Sequence, residues 1–452
     1  MLSLDGITLI VGLGKSGLSA LRALRALGAT VAVTDSRNDP PGLAVLRNEY
    51  PDVPCHLGDF DPAVFANAAR LLVSPGVPVK TPVIVEAAIR GVPVWGDIEL
   101  FARLTDIPVV AITGSNGKST VTTLLGDMMK SAGMPAAVGG NLGTPALDLW
   151  LAREKNATVR PQFYVLELSS FQLETTYSLN ARVATVLNIS PDHMDRYDSL
   201  DNYIVAKQQI FQGDGVMVVN ADDPAVMAMV KPERNVLRFT LREPEDNEFG
   251  VRRHRGERWL VRGQEPWIAA SALQVSGDHN IANALAALAI GHTLGLRREP
   301  MLTALRQFTG LAHRTTLIRD HAGVRWFDDS KGTNVGATIA AVRGVPGQQV
   351  VLIAGGDSKD QDFSSLRAAL ADRARMVILI GRDAPQIASA LGNSIPMQHA
   401  ADMEQAIAMA AQSAQAGDSV LLSPACASFD MFSGYEERGT VFTTMVRGLP
   451  TC

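Results

Sequence analysis

Short apolar runs alternate with amphipathic helical patterns along the whole of this 452-residue chain, and the alternation restarts twice. Residues 7–11 read as a strand, a glycine-rich turn follows, residues 17–27 have helical periodicity, and residues 30–34 are strand-like again, which is a βαβ unit. Apolar runs at 70–73 and 92–95 continue the pattern up to Gly96 and predict a small parallel sheet of about four or five strands. A new strand at 108–112 leads into a second glycine-rich loop and a helix over 119–132, with further strands at 163–168, 183–187 and 215–219. Between 239 and 268 the pattern turns polar with scattered Trp and Val, as in a short antiparallel excursion, and an Ala-rich helix follows over 280–294. From Arg314 the alternation begins again, with strands at 324–328, 349–354, 376–380 and 419–423 and helices at 336–342, 363–370 and 403–414. Three α/β domains are expected, over 1–96, 97–310 and 311–452, as the length also suggests.

Composition narrows the class. A hydrophobic share of 46% and a charged share of 19% belong to a globular chain. A formal net charge of -5 argues against nucleic acid or an anionic membrane as partner while leaving local cationic pockets open. Cys55, Cys426 and Cys452 are too far apart for a disulfide framework or a cysteine metal site. No apolar stretch is long enough to cross a bilayer, and the first residues lack the basic leader of a signal peptide, so a cytoplasmic protein without membrane insertion is expected.

The chemistry starts at Thr113-Gly114-Ser115-Asn116-Gly117-Lys118-Ser119-Thr120. A strand feeds glycines and then a helix whose first amides can face phosphates, with Lys118 adding a point charge, which is the physics of an ATP-binding P-loop. The first glycine of the general pattern would fall at Ile112, so a shortened loop is expected. Ser119 would place its hydroxyl on Mg²⁺, and a carboxylate is needed beside it; Glu167, ending the strand at 163–168, is the candidate. His193 in Asp192-His193-Met194-Asp195 follows another strand end and could reach a second Mg²⁺.

A different glycine motif, Gly12-Leu13-Gly14-Lys15-Ser16-Gly17, sits between strand and helix, with Asp35 at the end of the next strand. Taken alone it reads as a dinucleotide site. NAD oxidoreduction would leave the P-loop unexplained, whereas a nucleotide-bearing substrate with its diphosphate at this helix start explains both. The C-terminal region adds polar words at three strand ends: Asp328 to Asn334 with Lys331, Gly355-Gly356-Asp357-Ser358-Lys359, and Ser423 to Phe429. Open α/β sheets bind ligands at those ends, and Lys331 and Lys359 suit an acidic co-substrate. The fold expected is therefore an N-terminal Rossmann-like open sheet, a central P-loop ATPase-type α/β domain and a C-terminal Rossmann-like open sheet.

With these words in order, the chain resembles the Mur ligase family almost from end to end. The matching segments include residues 12–17, Gly96-Asp97-Ile98-Glu99-Leu100-Phe101, 111–123, Gly139-Gly140-Asn141, Leu166 with the run 167–174, 192–197, Asp278-His279-Asn280, His313-Arg314, 329–334 and 422–428. The resemblance implies an ATP-dependent amide ligase in peptidoglycan precursor synthesis. The carboxylate of UDP-N-acetylmuramoyl-L-alanine would attack the terminal phosphate of ATP, and the amine of D-glutamate would displace phosphate from the resulting acyl phosphate. Phosphorylation gives a poor acylating agent a leaving group, and Mg²⁺ neutralises the charge on the transferring phosphoryl.

Carried over residue by residue, the resemblance implies that Lys118, Glu167, His193 and Lys207 are catalytic. Ser119, Glu167, His193 and Lys207 would serve two Mg²⁺ ions, with Lys207 carried as a carbamate. Gly114, Ser115, Asn116, Gly117, Lys118, Ser119, Thr120, Asn280, Asn283, Arg314 and Asp329 would hold ATP. Lys15, Ser16, Asp35, Ser36, Arg37, Ser74, Gly76 and Asn141 would line the UDP-substrate path, and Lys331, Thr333, Lys359, Ser428, Phe429 and Tyr435 would surround the amino acid. Phe429, Tyr435 and Lys15 depart from the family pattern, which bears on affinity more than on reaction class. A monomer acting on small molecules is expected.

Overall fold

The computed structural model describes residues 4–155, 160–254 and 256–450; Cys452 lies outside them. Three sheets follow one another along the chain. The first has five parallel strands in the order Cys55–Leu57, Val31–Asp35, Thr8–Val11, Arg70–Val73, Val94–Trp95. The order reverses between Thr8–Val11 and Arg70–Val73, so a crevice opens beyond the carboxyl ends of these two strands, where Gly12 and Ser74 follow.

The second sheet has nine strands. Its parallel part runs Ala136–Gly140, Phe163–Glu167, Val109–Thr113, Val183–Val186, Val216–Asn220, Val236–Phe239. Phe249–His254, Glu257–Arg262 and Glu265–Ala269 extend it, with antiparallel pairing among these three, which is the excursion expected between 239 and 268. Val109–Thr113 is buried along its whole length, as a central parallel strand covered on both faces must be. Its register pairs Ile112 with Glu167 on one side and Thr113 with Val186 on the other. That pairing sets the phosphate loop directly beside Glu167.

The third sheet runs Thr316–His321, Val324–Asp328, Ser419–Leu422, Val350–Gly355, Ala374–Ile380, Met397–His399, with only the first strand antiparallel. Leu422 pairs with both Asp328 and Ile353, so Asp329, Ser423 and the Gly355-Gly356 turn emerge at one edge. Elements absent from the sequence reading include the edge strands Cys55–Leu57, Ala136–Gly140, Thr316–His321 and Met397–His399, the inner strand Val236–Phe239, and helices such as Pro82–Ile89, Asp97–Leu104, Ala146–Lys155, Leu200–Gln208, Arg298–Gln307 and Tyr435–Arg447. Among the described residues no helix is long and apolar enough to cross a membrane.

Candidate active site

Three connected cavities occupy the strand ends of these sheets. The phosphate loop spans four residues, 114–117, between the strand Val109–Thr113 and the helix Lys118–Ser131, so the loop is indeed short. Gly117 caps the helix at φ +83°, where a Cβ would stand 2.3 Å from Asn283 Oδ1. Both the left-handed backbone and the approach of Asn283 require glycine there. Asn188, just after the strand Val183–Val186, accepts from Asn116 N at 2.8 Å and donates to Asn116 O at 3.0 Å, fixing the loop from the neighbouring strand end.

A cavity of about 130 Å³ brings together Gly117, Thr120, Asn280, Asn283, Arg314 and Asp329 from the expected ATP set. Asn280 and Asn283 come from the helix Asp278–Thr293, one turn apart on the face toward the loop. Arg314 donates to Ser119 Oγ at 2.7 Å, spanning the second and third sheets. Asp329 accepts from Thr315 N and Oγ1 and from Ser423 Oγ, yet burial still pushes its carboxyl up to about 7.

All eight residues expected on the UDP-substrate path line a second cavity of about 550 Å³. Asp35 is already engaged within the protein. Its carboxylate accepts from Leu13 N at 2.7 Å and from Arg37 N, Nε and Nη2 at 2.7–2.9 Å. Burial opposes its charge, but these donors outweigh burial and hold the carboxyl below its ordinary range. Lys15 reaches across to Gly143 O at 2.6 Å, joining the first glycine loop to the second sheet unit.

A third cavity of about 300 Å³ gathers Lys118, Ser119, Glu167, His193 and Lys207 together with Lys331 and Thr333. In this cavity the residues expected to be catalytic and metal-binding meet the first of those expected around the amino acid. Lys118 Nζ donates to the carbonyl oxygens of Gly114 and Ser115. Burial lowers its pKa, against the pull of Glu167 and Asp192. Lys207 is 1% exposed and donates to Gly114 O at 3.0 Å; burial first, and then the charge of Lys118, hold its pKa well below the ordinary lysine value. His193 sits at φ +59° and is pushed down to about 4, chiefly by burial and further by Lys359, Lys118 and Lys207, while Asp192 opposes.

Glu167 accepts from Asn141 at Oε1, whereas its buried Oε2 has no hydrogen-bond partner in the protein. A buried carboxylate oxygen left bare in a cavity that Ser119 also lines fits a hard cation, so the residues present suit Mg²⁺. Among the described residues no three His, Cys, Asp or Glu side chains converge as a closed metal site. An ion bound mainly by phosphate and water needs no such cage.

The acceptor set is only partly assembled. Lys331 lies 3.8 Å over the Tyr435 ring, and Lys359 pairs with Asp192, both of them largely buried. Ser428 is buried, and Phe429 is 74% exposed and lines none of the three cavities. Several functional neighbours escaped the sequence reading. Asn334 exchanges amide hydrogen bonds with Asn116 and donates to Asp192 Oδ2 at 3.1 Å, and Tyr203 meets Ser115 Oγ at 3.0 Å and lies under Lys207. Asn334 could have been noticed as the helix cap it is, since it follows a strand-end word and precedes a helix.

Family models cover most of the chain. The MurD-like N-terminal domain of Mur ligases matches residues 7–96, the Mur ligase middle domain 112–291, and the Mur ligase glutamate ligase domain 313–426. The chain belongs to the Mur ligase family. Relatives with the name UDP-N-acetylmuramoylalanine–D-glutamate ligase are similar over nearly all of it. The protein from Nitrosococcus oceani is 53% identical over 98% of this chain and 97% of its own. The one from Pseudomonas aeruginosa is 48% identical over 99% of both. Among solved structures, UDP-N-acetylmuramate–alanine ligase from Thermotoga maritima shares the fold at a TM-score of 0.60 and 17% identity, covering 99% of this chain and 100% of that one. The MurF ligase of the same organism, solved in complex with ADP, does so at 0.59 and 17%, covering 99% and 96%.

Proposed function

We propose that this enzyme is the ATP-dependent ligase that adds D-glutamate to UDP-N-acetylmuramoyl-L-alanine in peptidoglycan precursor synthesis. The observation that carries the reading is the third cavity, where Lys118, Glu167, His193 and Lys207 meet Lys331. It shares Pro75 and Asn141 with the nucleotide-sugar cavity, and Asn116, Gly117 and Arg314 with the adenine-side cavity. A substrate carboxylate arriving from one side and a terminal phosphate from the other would meet over Lys118. The 48–53% identical relatives over the whole length support the choice of amino acid.

Residues 1–96 would serve the UDP-sugar, 97–310 ATP, and 311–452 the amino acid. Arg314 would give its planar fork to the phosphates, and Lys331, Thr333 and Lys359 would hold the acceptor's carboxylates. Ser119 and Glu167 would hold one Mg²⁺, and His193 with a carbamate on Lys207 a second. When bound, the ions would neutralise charge on the transferring phosphoryl group. Burial suits Lys207 to a carbamate, because only a neutral amine reacts with carbon dioxide, and burial is what disfavours its ammonium. The protein would act as a cytoplasmic monomer.

Phosphate release with UDP-N-acetylmuramoyl-L-alanine and ATP, measured with D-glutamate, L-glutamate or meso-diaminopimelate, tests the assignment. Turnover is expected with D-glutamate alone; turnover with either of the others in its place overturns it.

A further inference from the structure

The 192–197 segment turns two side chains in different directions: His193 lines the third cavity, and Arg196, three residues on, reaches back to the first sheet unit. The Arg196 guanidinium donates to Pro75 O at 3.2 Å, to Val77 O at 3.3 Å and to Glu174 Oε2 at 2.8 Å. It lies 4.4 Å over the Phe171 ring, and that ring meets the His193 imidazole edge to face at 4.7 Å between centroids. The Arg196 and Glu174 side chains are 10% and 11% exposed, so this is a largely desolvated ion pair, and two further donors of the guanidinium go to backbone carbonyls. A planar fork can serve three acceptors at once, which a lysine ammonium on a flexible stem does less well.

The turn it holds is itself rigid. Val77 N donates to Ser74 O at 2.9 Å, and Ser74 Oγ donates to Gly12 O at 2.7 Å, so residues 74–77 move as one with the first glycine loop. Pro75 lines both the nucleotide-sugar cavity and the third cavity. The position of this turn therefore sets where a ligand leaves one cavity for the other. The neighbouring pair, Lys80 with Asp198, is more than half exposed on both sides and contributes little to that position.

We infer that Arg196 is a positioning residue for the nucleotide-sugar substrate, fixing the 75–77 turn against Phe171 and His193 so that the substrate's carboxylate arm enters the phosphoryl-transfer cavity in register. The inference rests on the function proposed above. Register matters because a misplacement of about 1 Å at the reacting atoms can cost roughly a hundredfold in rate.

Steady-state kinetics of Arg196→Ala and Arg196→Lys, with each substrate varied in turn, test it. In Arg196→Ala the KM for UDP-N-acetylmuramoyl-L-alanine is expected to rise about tenfold and kcat to fall about as much, with KM for ATP and D-glutamate within about twofold of wild type. Arg196→Lys keeps the charge and most of the volume but not the fork, so it should retain a KM defect of about fivefold at an unchanged melting temperature. If Arg196→Ala does not fold, the lysine variant decides alone. Wild-type KM for the nucleotide-sugar in the folded variants overturns the role. So do three KM values that rise together with a falling melting temperature, the mark of a merely structural residue. A wild-type enzyme that releases no phosphate with these substrates defeats the functional reading instead, which keeps the two failures distinct.

Discussion

Lys331 shows how much a single side chain's surroundings decide. Burial, reinforced by the cations Arg314 and Lys118, lowers its pKa to about 8, and the ring of Tyr435 beneath it supplies the attraction that water would otherwise provide. The ammonium is therefore charged below about pH 8 and neutral above it. If it holds a carboxylate of the acceptor, KM for D-glutamate should climb above pH 8, approaching roughly tenfold per pH unit. In Lys331→Arg that rising limb should disappear from the measured range, whatever happens to the absolute rate. A KM flat from pH 7 to 9.5 in the wild type counts against the assignment.

Residues of this kind were legible when their chemistry is local. The glycines of the phosphate loop, Lys118 and the strand-end Glu167 announce themselves through a word of adjacent letters, and the fold places them together. Asn188 and Arg196 do not, because their partners lie 72 and 119 residues away. An asparagine or arginine in a loop reads the same whether it faces water or a distant backbone. Asp35 lines the cavity where it was expected, but no adjacent word announces that its oxygens are engaged by Leu13 and Arg37.

At the scale of elements, the central strands were readable because they are buried on both faces and appear as continuous apolar runs, as in Val109–Thr113 and Ser419–Leu422. Several edge strands were not. Cys55–Leu57 and Met397–His399 have three residues each and are partly exposed, so no periodicity develops. The helix Tyr435–Arg447 opens on Glu436 and Glu437 and hides its apolar stripe behind a polar start. Short elements matter nonetheless. Asp223 caps the five-residue helix Pro224–Ala228, accepting from Ala225 N and Val226 N with one oxygen, while the other accepts from Ile189 N at 2.7 Å. It thereby anchors the segment that leads to Asp192 and His193. Asp223→Ala should lower unfolding stability by about 1–2 kcal/mol in urea titration. It should also reduce kcat, because the cap and the active-site segment share one carboxylate.

For the molecule as a whole, the third unit is held against the second by polar contacts at the site itself. Lys359 pairs with Asp192, Asn334 bonds to Asn116, and Arg314 bonds to Ser119. The residues that would bind the acceptor and the phosphates are thus among those that join the two units. Removing one partner of a buried pair costs about 3–5 kcal/mol, enough to shift a closure equilibrium strongly. Lys359→Ala is expected to give a larger radius of gyration by small-angle X-ray scattering than wild type without nucleotide. Identical scattering curves would show that Lys359 is not a latch.

Pro75 and Asn141 belong to the walls of two cavities at once, so a nucleotide-sugar bound as proposed would be a bivalent guest. With its uridine end seated, its carboxylate end would be presented to the third cavity at an effective concentration set by the length and stiffness of the molecule between them, not by its amount in solution. The spacing between the cavities acts as a ruler. A compound that matches the span gains from both ends, and the same two fragments unlinked gain from neither's presence.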